Sequence, residues 1–120
     1  MRSIDEQIMS KPAVRTYSRY GREAVKLLGL TIRQGRIERR LTLDELAARA
    51  GVSRGLVQRV ERGDMGCAIG AVFEMATIVG VQLFGADQGL LSMHVAAAEK
   101  TLSLLPQWSR PLSQEVKDDF

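Results

Sequence analysis

The chain has 120 residues, 45% of them hydrophobic, 26% charged and 5% aromatic, with 3 prolines and a formal net charge of +3. That length suits one domain plus an appendage, and the composition excludes wholesale disorder and collagen-like structure. One cysteine, Cys67, excludes an internal disulfide, and neither a signal-peptide pattern nor an apolar run near the roughly 18 residues of a membrane span is found, so a soluble, cytoplasmic protein is expected.

Residues 1–17 show no sustained period and contain Pro12, which reads as a loosely ordered arm. Ser18 is a candidate N-cap for a helix over Arg19 to Arg40. In that helix Val25, Leu28, Ile32 and Arg36 share one face, and Leu27, Leu30 and Ile37 a neighbouring one. Gly29 and Gly35 each cost a helix about 1 kcal/mol relative to Ala, so a break is expected near one of them.

The next stretch is the most informative. Thr42-Leu43-Asp44-Glu45 is a capping box, in which the Thr hydroxyl accepts from the third helical amide and Glu45 reaches back to the cap. Leu43, Leu46, Ala47 and Ala50 give a short helix one apolar face, and Gly51 ends it by taking positive φ. Ser53 is a second N-cap two residues later. The helix it starts, Arg54 to Arg62, buries Val57 and Val60 and leaves Arg54, Gly55, Gln58, Arg59 and Arg62 outward, and Gly63-Asp64 stops it. Two short helices joined by a Gly-containing turn, the second basic on its outer face, make a helix-turn-helix, whose second helix is able to enter a DNA major groove.

Ile69, Val72, Phe73, Ala76 and Val79 then recur at helical spacing as core and stop at Gly80. In place of a Ser or Thr cap this helix has Ala68, so a loose start, or a cap borrowed from Asp64, is expected. Val81, Leu83 and Phe84 close the domain near residue 85, and Asp87 caps a last helix reaching about Leu105. There Leu91, Val95, Ala98, Leu102 and Leu105 follow spacings of 4, 3, 4 and 3, an a/d seam suited to a homodimer interface. The alternative is that this stripe packs on its own chain. The domain layout is thus an arm at 1–17, a DNA-binding domain at 18–85, a dimerisation helix at 86–105 and a tail at 106–120.

Charge separates along this layout. Lys11 to Arg62 holds 13 Lys and Arg against 5 Asp and Glu, a net +8, whereas Gly63 to Phe120 holds 3 against 7, a net −4. A basic front half rich in Arg points to double-stranded DNA as partner, because the guanidinium fork suits phosphates and guanine edges. The acidic tail is a poor DNA arm. Its Trp108 and terminal Phe120 suit it as a partner-binding segment, since aromatics in a polar, flexible stretch serve as anchors; the alternative is that Trp108 folds back through Leu105.

Ile32-Arg33, Leu41 to Ala47, Ala50-Gly51-Val52-Ser53, Val60-Glu61-Arg62-Gly63 and Ala76 with Gly80-Val81 together resemble the Xre-type helix-turn-helix family, which includes the Cro and repressor proteins of lambdoid phages. The resemblance covers about residues 25–84. It implies an all-α, five-helix lambda-repressor-like domain, here followed by an extra C-terminal helix and a short tail. It implies further that Ser53, Arg54, Gly55, Gln58 and Arg59 face DNA bases, that Arg33, Thr42 and Arg62 lie near phosphates, and that Glu61 forms a structural salt bridge with Arg36. Arg40 stands where the family commonly has Gly, so the end of the first helix is expected to differ, and Leu43 stands where some relatives place a phosphate-binding Gln.

Beyond the domain, Leu83-Phe84-Gly85-Ala86-Asp87, a further helix, Leu104-Leu105-Pro106 and an acidic tail ending in Phe120 resemble HipB-like antitoxins. Such proteins repress their own operon and bind a HipA-like serine/threonine kinase toxin. The alternatives are a free-standing Xre-type regulator and a protein-binding module with a degenerate helix-turn-helix. Catalysis is not expected: His94 and Cys67 lack an orienting motif, and two Cys or His residues are too few for a structural zinc site. Gly63, Gly66 and Gly70 follow no strand and lack a Lys-Ser/Thr ending, so no phosphate loop, cofactor or metal is expected.

Overall fold

The computed structural model describes residues 16–106. Most of the expected arm and tail, with Trp108 and Phe120, lies outside the described residues. The described residues are all-α: α1 (Arg19–Glu38), α2 (Leu43–Ala50), α3 (Arg54–Glu61), α4 (Ile69–Ile78), a 3-10 turn at Leu83–Gly85 and α5 (Gln88–Leu104). It gathers into two compact units, one ending at Val81 and one starting at Gln82, a few residues before the boundary expected at 85.

Helix starts follow the side-chain chemistry closely. The Ser18 hydroxyl accepts from the Gly21 amide at 3.0 Å, Thr42 from Glu45 at 3.0 Å, Ser53 from Leu56 at 3.1 Å and Asp87 from Leu90 at 2.9 Å. Each such bond satisfies an orphan amide and contributes about 1 kcal/mol. Thr42 completes its capping box, with its own amide donating to Glu45 at 2.8 Å. Among the α-helices of the described residues, α4 alone starts without a side-chain cap, at Ala68. Asp64 does not replace it: its carboxylate accepts from the Gly66 amide and binds Arg59.

The first helix ends at Glu38 through a Schellman turn, in which the Leu41 amide donates to the Arg36 carbonyl and the Arg40 amide to that of Ile37. Arg40 takes φ 58 there, so the left-handed turn is kept although the residue is not Gly. The expected break in α1 does not occur. A Cβ at Gly29 would strike the Val60 carbonyl oxygen, and one at Gly35 would lie 2.8 Å from the Val79 carbonyl oxygen. The two glycines are where α3 and α4 approach the backbone of α1, and that contact outweighs their low helix propensity.

The core of this unit is built from Ile32, Leu41, Leu46, Ala47, Val57, Val60, Met75, Ala76 and Val79, all buried. Val25 and Leu28 are half-buried on the same side of α1. Leu27, Leu30 and Ile37, on the neighbouring face, are exposed. Ile69, expected in the core, is also exposed because it opens the first turn of α4, whose inner face begins at Val72 and Phe73. The second unit comprises the 3-10 turn and α5, and none of the α5 side chains is buried. Leu91 is half-buried, and Val95, Ala98, Leu102 and Leu105 are exposed. No helix of the described residues is long and apolar enough to cross a membrane.

Candidate nucleic-acid interface

The candidate interface is set by the turn between α2 and α3. Gly51 takes φ 70 and the Val52 amide returns to the Ala47 carbonyl at 3.0 Å, which closes α2. Ser53 then opens α3 after one intervening residue. Because the turn is so short, α3 leaves at a fixed angle, with Val57 and Val60 held in the core and the opposite side open.

A buried ion pair holds α3 to α1. Arg36 Nε donates to Glu61 Oε2 at 2.6 Å and a terminal nitrogen donates to Oε1 at 3.1 Å, while the other terminal nitrogen reaches the Leu41 carbonyl at 3.0 Å. The side chains are 12% and 7% exposed, so this pair is largely removed from water. The hydrogen bond to Glu61 raises the Arg36 pKa further above its already high ordinary value. Two parallel bonds fix orientation as well as distance, so the pair orients the C-terminal end of α3 against α1.

On the open side, Ser53, Arg54, Gly55 and Arg59 are exposed and Gln58 is half-buried. Gly55 has no packing reason to be glycine: a Cβ there would meet nothing nearer than the Ser53 hydroxyl at 3.9 Å. Arg54 lies 3.6 Å from Asp44, both well exposed, which is a weak tether. Arg59 points elsewhere. Its Nε binds Asp64 at 3.0 Å, and that bond raises the Arg59 pKa and, with the Gly66 amide, lowers that of Asp64. Arg59 is thereby turned to the α3–α4 loop and away from the Ser53–Arg54–Gly55 end of α3. Nothing in the sequence marked this pairing, because Arg59 and Asp64 lie across a helix end and not on one face.

Arg33 and Thr42 are both exposed. One shallow cleft is lined by Arg33, Leu43, Gln58 and Arg62, with Arg36 and Glu61 in its wall. A second is lined by Arg19, Arg22, Lys26 and Arg62, with Glu23, Gly63 and Met65. Arg62 belongs to both, so the basic surface continues from α3 along α1. The residues Arg22 and Lys26 were not singled out in the sequence, although the 3, 4 and 7 spacings of Arg19, Arg22, Lys26 and Arg33 place them on one helix face. Of the two side chains considered for catalysis, Cys67 is half-buried, which pushes its thiol pKa up, and His94 is exposed on α5.

An all-α unit with a capped helix, a left-handed glycine turn and a second helix carrying an open polar face belongs to the helix-turn-helix class of DNA-binding regulators. A family model described as a helix-turn-helix domain matches residues 27–87, just over half of the chain, and the protein belongs to that family. This match supports the Xre-type resemblance. Comparison with curated proteins finds no match.

Proposed function

We propose that the protein is a cytoplasmic, homodimeric, sequence-specific transcriptional repressor that acts by binding and not by catalysis. The observation that carries this reading is the outer face of α3. Ser53, Arg54 and Gly55 stand open to solvent at its N-terminal end while the Arg36–Glu61 pair anchors its other end. Arg54 is the candidate guanine reader, Gly55 admits close approach of a base, and Gln58 is within the cleft that Arg33 and Arg62 flank. Thr42, Arg33 and Arg62 serve phosphates. Arg59 is kept among the readers on condition that DNA displaces Asp64. The purified protein is titrated with duplex from its own upstream region and with a scrambled duplex. Arg54→Ala is expected to lose about 1–3 kcal/mol on the specific duplex and to narrow the ratio between the two. An unchanged ratio removes Arg54 from the readers.

Dimerisation through α5 supplies the second half-site reader that a palindrome requires. Its support is the exposed stripe of Val95, Ala98, Leu102 and Leu105. Changing Val95 and Leu102 to Asp should give folded monomers in sedimentation; a persistent dimer places the interface elsewhere.

The finer reading, an antitoxin that autoregulates its operon and binds a HipA-like kinase, rests on the resemblance of the segment from Leu83 onward and on the tail aromatics Trp108 and Phe120. Removing residues 107–120 should leave operator affinity nearly unchanged and weaken a complex with the kinase encoded alongside at least tenfold, about 1.4 kcal/mol. Lost operator binding with intact kinase binding reverses the tail's role. Absence of any kinase complex leaves the free-standing regulator, which the family match over 27–87 supports equally well.

A further inference from the structure

We propose that the N-terminal half of α1 is a second, sequence-independent DNA contact: a phosphate clamp formed by Arg22 and Lys26 with Arg62, which extends the footprint of the domain beyond the base pairs read by α3. This rests on the reading of α3 as the DNA-facing helix, and it assigns a role to cations outside the helix-turn-helix itself.

Three observations carry it. The first is periodicity. Arg19, Arg22, Lys26 and Arg33 lie on one face of a single unbroken helix. At ~1.5 Å per residue the row from Arg19 to Arg33 is about 21 Å long. A DNA strand carries a phosphate for about every 3.4 Å of helix axis. The row therefore spans several phosphates, with its Arg33 end already beside Gln58 of α3.

The second is the way Arg62 is brought to this row. Gly63, immediately after Arg62, takes φ 80, and a Cβ there would lie 3.0 Å from Lys26 Cα. The loop that follows α3 thus lies with its backbone against α1 at Lys26, which sets Arg62 in one cleft with Arg22 and Lys26. In the sequence the rest of α1, a turn and the helix-turn-helix lie between Lys26 and Arg62, and this close approach brings the two together.

The third is the charge state of the cleft. It holds four cations, Arg19, Arg22, Lys26 and Arg62, and one carboxylate, Glu23. Glu23 is engaged by Arg19 at 3.0 Å on the exposed helix surface. Arg22 is steadied by a 3.4 Å hydrogen bond to the Tyr17 carbonyl. Lys26 and Arg62 have no carboxylate within salt-bridge distance among the described residues. Asp64 acts on Arg62 only at longer range and is itself bonded to Arg59, so the cations held close together here repel one another and gain from an anion. Continuity with the α3 surface through Arg62 makes the nucleic-acid backbone the anion that fits, in preference to an acidic peptide or a lipid headgroup.

The test needs no knowledge of the operator. The full chain and an Arg22→Gln, Lys26→Gln double variant are titrated with random-sequence duplex of about three helical turns over a series of salt concentrations. Each phosphate contact contributes about 0.9 to the slope of log affinity on log salt. The double variant is expected to have a slope shallower by about 1.8, with an unchanged melting temperature. The charge-conserving pair Arg22→Lys, Lys26→Arg should restore the wild-type slope. Backbone ethylation interference on the specific duplex should lose protections outside the α3 half-site in the double variant and keep those within it. A steep wild-type slope that the double variant leaves unchanged overturns the clamp and leaves DNA binding by α3 standing. A wild-type slope near zero overturns both.

Discussion

Arg36 and Glu61 meet edge to edge, 25 residues apart in the chain, with two nitrogen–oxygen bonds of 2.6 and 3.1 Å and little exposure to water. They join the last turn of α1 to the end of α3, and Arg36 also satisfies the Leu41 carbonyl just beyond the first helix. The pair is a positioning device: it touches no base in the proposed complex but fixes the helix that does.

Removing one partner leaves the other buried without compensation, so Glu61→Ala should destabilise the domain by about 3–5 kcal/mol. Replacing both residues with apolar side chains of similar volume should recover most of that loss, because the desolvation of two charges is removed together. A double-mutant cycle by urea unfolding checks both statements. A single-variant loss under about 1 kcal/mol would show the pair to behave as a surface ion pair.

Gly55 should trade stability against binding. Its would-be Cβ is unobstructed, so Gly55→Ala should stabilise the fold by about 0.5–1 kcal/mol through helix propensity. The same methyl group occupies the surface offered to DNA, and affinity for the specific duplex should fall. Thermal unfolding and duplex titration on one preparation separate the effects. A stabilised variant with undiminished affinity means that this position does not approach DNA closely.

Arg40 holds a left-handed conformation at φ 58 in the turn that ends α1. A side chain costs roughly 1–2 kcal/mol in that region, and glycine carries no such cost. Arg40→Gly should therefore stabilise the domain by about 1 kcal/mol, part of the gain being offset by the greater freedom of glycine in the unfolded chain. Arg40→Val should destabilise it. Denaturant midpoints for the two variants give the comparison directly.

Two carboxylates make stability dependent on acid. Hydrogen bonds from the Thr42 backbone and hydroxyl lower the Glu45 pKa from its ordinary 4.5, and bonds from Arg59 and the Gly66 amide lower that of Asp64 from its ordinary 3.8. Their contributions are complete above those ordinary values and are lost as pH falls through the lower folded-state values. Stability should thus decline from about pH 5 downward. Asp64→Asn with Glu45→Gln should lower stability at neutral pH and flatten this acid limb. An acid limb as steep as that of the wild type would assign it to other carboxylates.

Four of the five α-helix starts among the described residues were legible residue by residue, because a cap is a contact between a side chain and an amide three positions away. Ser18, Thr42, Ser53 and Asp87 each make that bond. The alternation of Leu46, Val57 and Val60 with polar neighbours likewise marked the inner faces of α2 and α3.

Tertiary packing decided the rest, since it depends on which backbones approach one another. Gly29 and Gly35 read as weak points of a helix, yet they are the places where α3 and α4 come close enough to exclude a side chain. Leu27, Leu30 and Ile37 have the spacing of a buried face, but no helix of their own unit covers them. Arg59 has the position of a base reader on a helical wheel, but a loop carboxylate five residues on holds it. Lys26 and Arg62 share a cleft only because glycine at position 63 lets two backbones touch. Periodicity and capping act within about one helical turn and can be read along the chain, whereas the meeting of α1 with the loop after α3 joins segments far apart in sequence and exists only once the chain has folded.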